Sequence, residues 1–148
     1  MKKFFIIILL LTLPTYAIKL SIGGSHLLGI HYEYELEEES FIDSSIGVFE
    51  LGTVIFSTSH QFLYYLNGNS ELYIGYGAMA ITVPSIDAYM IAAKVPLGWR
   101  YTLDSGSILT LGIDLNYILG YTDDDGKWRT QMNIDSPLLP FPFVAYSF

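Results

Sequence analysis

Residues 88–103, AYMIAAKVPLGWRYTL, decide the architecture. Tyr89, Ile91, Ala93, Val95, Leu97, Trp99, Tyr101 and Leu103 fall on one face at a period of two. Met90, Ala92, Lys94, Pro96, Gly98, Arg100 and Thr102 fall on the other. Residues 107–120, SILTLGIDLNYILG, repeat the pattern, with Leu109, Leu111, Ile113, Leu115, Tyr117 and Leu119 opposed to Thr110, Gly112, Asp114, Asn116 and Gly120. One row is uniformly apolar and the other mixes small, polar and charged residues. Both rows outrun the usual globular strand of about five or six residues.

Composition narrows the setting. The 148 residues are 51% hydrophobic, 16% aromatic and 15% charged, with a mean hydropathy of +0.39. No apolar run reaches the length of about 18 residues that a spanning helix needs. Fifteen acids against seven bases speak against nucleic-acid binding, which requires clustered Lys and Arg. The absence of cysteine removes disulfides and thiolate metal sites. A greasy chain without a spanning helix, built of long alternating strands, is expected to be a membrane β-barrel.

The N-terminus reads as an address. Lys2 and Lys3 precede an apolar run from Phe4 to Leu13, then Pro14 and Thr15-Tyr16-Ala17, which gives small residues at −3 and −1 of a cleavage site. The expectation is a signal peptide over 1–17, cleaved after Ala17, and a barrel domain over 18–148. Turn signals divide that domain into eight strands: Ile18–Gly24, Leu27–Leu36, Ser44–Phe56, Ser59–Leu66, Glu71–Val83, Ala88–Leu103, Ser107–Tyr121 and Leu138–Phe148. Glu37–Asp43, Asn67-Gly68-Asn69 and Asp104-Ser105-Gly106 would turn at one end. Residues 24–26, Ser57-Thr58, Pro84-Ser85-Ile86 and the long segment 122–137 would lie at the other. The fold expected is all-β: a closed, eight-stranded, antiparallel up-and-down transmembrane barrel with short periplasmic turns and longer outer loops.

Hydrocarbon leaves no water for unpaired N–H and C=O groups, so closure is the solution open to strands in lipid. An eight-stranded interior is just wide enough for side chains to fill. Parity places Lys19, His31, Glu33, Glu35, Glu50, Gln61, Glu71, Lys94, Arg100, Asp114 and Asn116 inside. Buried charges persist when they are paired and hydrogen-bonded. Hairpin register puts Arg100 opposite Ser70 and beside Glu71, and Lys94 opposite Asn116 and diagonal to Asp114. Arg100–Glu71 and Lys94–Asp114 are therefore the expected interior pairs, within a network of Lys94, Arg100, Glu71, Asp114, Glu33, Glu35 and Glu50. Tyr34, Tyr64, Trp99, Tyr101, Tyr146 and Phe148 would girdle one membrane boundary, and Tyr89, Tyr117 and Tyr121 the other.

No catalytic, metal or cofactor site is expected. His31-x-Glu33-x-Glu35 lies on one strand face, whereas metal binding needs ligands from several strands. Asp123-Asp124-Asp125-Gly126 lacks the spaced ligands of an EF-hand. Ser57, Ser59 and His60, with Ser25-His26 across the rim, are the nearest approach to a serine–histidine pair. No G-x-S-x-G elbow occurs, and His60 reads as a rim residue. In the long loop, Trp128 flanked by Lys127 and Arg129 is the candidate contact surface.

Val144, Tyr146 and Phe148 alternate to a terminal aromatic. With Leu28–Tyr34, Leu72–Ala78, Pro96–Tyr101 and Pro140–Phe148, they make the chain resemble the small eight-stranded outer-membrane barrels of OmpA/OmpX type and the broad group of outer-membrane β-barrel domain proteins. The resemblance implies an outer-membrane location and a C-terminal strand read by the barrel-assembly machinery. The function expected is that of a monomeric, side-chain-filled barrel with a structural or surface-interaction role, contacting outer-membrane lipid. A lipid A-modifying enzyme and a narrow pore are the alternatives. The two prolines of the last strand fit only where ladder N–H groups are spared, near its outer end.

Overall fold

A computed structural model describes residues 18–23, 26, 28–48, 52–122, 125–130 and 138–147. Residues 1–17, the proposed signal peptide, lie outside these, as do Glu50 and Phe148. The fold is all-β. Its strands are β1 (Ile18–Gly23), β2 (Leu28–Glu37), β3 (Ser40–Val48), β4 (Val54–Asn67), β5 (Ser70–Val83), β6 (Ala88–Thr102), β7 (Ile108–Thr122), β8 (Trp128–Arg129) and β9 (Leu138–Ser147). Eight run up and down, and β8 is a two-residue strand laid on the end of β7.

All lie in one antiparallel sheet of order β6-β5-β4-β3-β2-β1-β9-β7-β8, with β6 also paired to β7. The β6–β7 ladder runs from Met90↔Tyr121 to Thr102↔Ile108, and the β1–β9 ladder from Lys19↔Ser147 to Gly23↔Phe143. Each of the eight long strands thus has a hydrogen-bonded neighbour along both edges. β1 covers β9 only from Phe143 onward, so Pro140 and Pro142 face β7 alone. Their missing N–H groups are tolerated for that reason.

Burial alternates along the strands with a period of two. Leu20, Ile22, Leu28, Ile30, Ile46, Val48, Phe56, Leu72, Ile74, Leu111 and Val144 are exposed, whereas His31, Glu33, Asp43, Ser45, Gln61, Lys94, Arg100, Asp114 and Asn116 are buried. The apolar row faces out and the polar row faces in, the inverse of a water-soluble barrel. Apolar packing inside is confined to a small cluster of Ile55, Met79 and Ala92, with Ile81 against it.

The largest departure from the sequence reading is the β3–β4 connection. Ser57-Thr58 is not a turn: it lies within β4, with Ser57 opposite Ser45 and Thr58 opposite Ser44. The chain reverses between β3 and β4 near Gly52, whose φ of +92° suits glycine. Ser and Thr signal turns when a strand's polar face meets water. Here polar side chains are what the interior requires, so they do not interrupt a strand. The same correction moves Ser40 to Asp43 out of a loop and into β3, around a turn at Glu38 and Glu39.

A second departure is a β-bulge where Ile91 pairs Gly120 but Ala92 pairs Ile118. The extra residue switches parity at the end of β7. Tyr121 therefore stands opposite Met90, on the inward row of β6, and leaves the outward aromatic set.

Glycine is required where the interior is tightest. A Cβ on Gly112 would overlap the Tyr73 hydroxyl, and its next neighbour would be Cε1 of Phe143. Gly112→Leu is expected to lower stability by about 1–3 kcal/mol through overpacking. The midpoint of urea unfolding in detergent, followed by tryptophan fluorescence, measures it; an unchanged midpoint would contradict the crowding.

Candidate functional site

The interior is built from one inward side chain of every second residue, and the strands bring acids and bases together across it. Lys94 on β6 stands opposite Asn116 on β7, one pleat from Asp114. Its Nζ lies 3.1 Å from Asp114 Oδ2, and both side chains are 3% exposed. Lys94 also donates to Ser57 Oγ at 3.3 Å. Ser57 and Ser45 hydroxyls meet at 2.7 Å, and Ser45 Oγ meets His26 Nε2 at 2.9 Å. A single polar chain therefore crosses the interior from the β1–β2 connection through β3, β4 and β6 to β7.

A second assembly surrounds Arg100. Arg100 stands opposite Glu71, one residue from the register expected, because the β5–β6 connection includes a 3-10 turn at Pro84–Ile86 and Asp87 in the left-handed region. Its Nη2 donates to Glu33 Oε2 at 3.2 Å, while Nε lies 3.8 Å from Glu71 Oε2. The guanidinium also sits over the Phe41 ring, 4.6 Å from its centroid, a favourable cation–π arrangement. Glu33, four strands away from β6 in sheet order, is the closer partner. Pairing across the interior is invisible to hairpin register, which sees only adjacent strands.

His31 Nδ1 lies 2.8 Å from Asp43 Oδ1, both buried. The sequence reading missed Asp43 because it fell in a supposed loop. It missed Ser45, Ser57 and Tyr73 for lack of charge, and His26 because a turn residue has no strand parity. Gln61 donates to Ser59 Oγ at 2.9 Å, and Asn116 donates to the Asp114 carbonyl at 3.3 Å. Glu35 is a correction. It shares the row of Glu33 but is exposed, because β2 has there reached the mouth. With Glu37, Glu38 and Glu71 it lines a recess of 260 Å³ above Arg100. Nothing is described of the Lys19 side chain.

His60 is a further correction. It is the seventh residue of the fourteen in β4 and not a rim residue. It faces outward, 3.3 Å from the Tyr76 hydroxyl and tilted against Phe62 at 4.4 Å between centroids. Ser57 and Ser59 face inward, so strand parity separates His60 from both. The Ser45–His26 contact is buried among other side chains. Among the described residues no group of three or more His, Asp or Glu could hold a metal ion.

Val144 and Tyr146 of the proposed assembly signal are exposed on β9. Lys127, Trp128 and Arg129 are exposed beyond β7. No protein-family model, curated protein or solved structure matches the chain.

Burial of an ion pair makes its integrity matter more than its existence. Arg100→Met leaves Glu33 and Glu71 facing each other without a cation, and is expected to cost about 3–5 kcal/mol. The triple variant R100M/E33Q/E71Q should recover most of that loss in the same urea titration. Failure of the triple variant to recover would show that the arginine acts by packing on Phe41 alone.

His26 adds a pH dependence. Burial, with His31 and Lys94 nearby, lowers its pKa from 6.5 to about 4. The unfolded chain then binds a proton that the folded chain refuses. Stability is full above about pH 6.5 and declines as pH falls toward 4. Comparison of His26→Gln with the parent chain across that window should show a shallower decline in the variant.

Proposed function

We propose that the chain is a small integral outer-membrane protein: a closed eight-stranded barrel with a side-chain-filled interior and a structural or surface-interaction role at the cell surface. The observation that carries this reading is sidedness. Aliphatic side chains point away from the sheet on every long strand, while Lys94 and Arg100 are buried with their carboxylates on the other face. That arrangement is stable where the surroundings are hydrocarbon.

Three further features support it. The β6–β7 ladder supplies the pairing that closure demands. Trp99 stacks on Tyr101, and Tyr34, Tyr64 and Tyr146 lie exposed toward the same end, as an interfacial girdle would. No described helix is long and apolar enough to cross a membrane, so the strands carry that task. The ion pairs and hydroxyls fill the interior between the walls. In the reading proposed, residues 1–17 direct export and are removed, and the terminal strand is handed to the barrel-assembly machinery.

Outer-membrane fractionation followed by gels of unheated and boiled samples tests the barrel. A closed barrel migrates differently before and after boiling. Identical migration, or recovery in the soluble fraction, would refute it. A filled interior further predicts no discrete conductance steps in a planar bilayer.

A further inference from the structure

Four residues form a row across the outer face near the long connection. Phe56 on β4 pairs with Ala80 on β5, Ala80 with Ile91 on β6, and Ile91 with Gly120 on β7. Large and small alternate, so the wall is dented at Ala80 and Gly120. The bulge at Ile91 and Ala92 puts Gly120 in this row. β8 then folds back so that the Trp128 indole lies over Gly120, where a Cβ would collide with it. Thr122 fixes the corner, its Oγ1 accepting from Tyr89 N–H at 2.7 Å and donating to the Tyr89 carbonyl. The result is a groove of 450 Å³ with Phe56, Ala80, Tyr89, Ile91 and Trp128 in its walls. That volume falls in the range of small-molecule sites, about 300–1,000 Å³.

Charge sets this groove apart. The chain has 15 acids and seven bases. Among the described side chains the bases are Lys94 and Arg100, buried in the interior, and Lys127 and Arg129, exposed on either side of Trp128. All of the described exterior positive charge therefore borders one apolar groove at one end of an acidic protein. A ligand that matches both features has an acyl chain and an anionic headgroup.

We propose that this groove binds a phosphorylated glycolipid of the outer leaflet, one acyl chain lying along Ala80 under Trp128 and a phosphate meeting Lys127 and Arg129. The proposal rests on the barrel reading above, which puts the end bearing the long connection at the outer surface. Trp128 serves as groove wall and interfacial anchor together.

The test uses the full chain refolded in zwitterionic detergent with Trp99→Phe, which leaves Trp128 as its one tryptophan. Lipid A, its dephosphorylated form and phosphatidylethanolamine are titrated while Trp128 emission is followed. Saturable binding of lipid A is expected, with the other two weaker by roughly tenfold or more. K127E/R129E should lose that preference, and Ala80→Phe should weaken all binding by filling the dent. Both variants should keep the mobility shift between unheated and boiled samples. Equal binding of the three lipids, or lipid A binding untouched by K127E/R129E, overturns the site while the mobility shift still upholds the barrel. Loss of the mobility shift in the parent chain overturns the barrel and the site with it.

Discussion

With its aliphatic side chains turned outward, this chain has mainly polar groups left to fill its interior, and the structure depends on their satisfying one another. Lys94 and Arg100 are the two described cations inside, and carboxylates meet each of them from across the interior. A buried ammonium or guanidinium alone would be driven to a different state or a different fold. The wall positions these groups, and the groups hold the walls at their separation.

This changes what stabilises the molecule. The cluster of Ile55, Met79 and Ala92 is too small to act as a conventional core. The main contribution falls to the backbone ladders, whose hydrogen bonds have no competitor in hydrocarbon, and to the side-chain network. Such networks raise specificity along with stability, because a one-residue slip of any strand would turn its charged row toward lipid. The His26–Ser45–Ser57–Lys94–Asp114 chain links five segments, so it penalises slippage in several registers at once.

Much of this was legible in the sequence, and the failures share a cause. Strict alternation over residues 88–120 is a local property, and it identified the strands and the inward charges. Lys94 and Asp114 are close because their strands are adjacent, so register alone brings them together. Arg100 and Glu33 belong to distant strands, and no local rule couples them. Ser57-Thr58 misled because turn chemistry was judged as though polar side chains always seek water. Glu35 misled in the other direction: parity gives a face, but not the height at which a strand leaves the interior. The bulge at Ile91 and Ala92 has no signature in the alternation until its partner strand is known.

The pairing of β1 with β9 has a kinetic corollary. It joins the strand at 18–23 to the strand at 143–147, so one seam of the wall is made from segments separated by almost the whole domain. Hairpins such as β4–β5 and β6–β7 can zip as soon as their residues are present, because their contacts are local. The seam carries the full entropy of loop closure and forms late. Until it does, two strand edges offer unmet hydrogen bonds to any neighbouring chain. A molecule of this design is therefore most prone to aggregate just before completion, and a chaperone for it would do best to shield its two terminal strands.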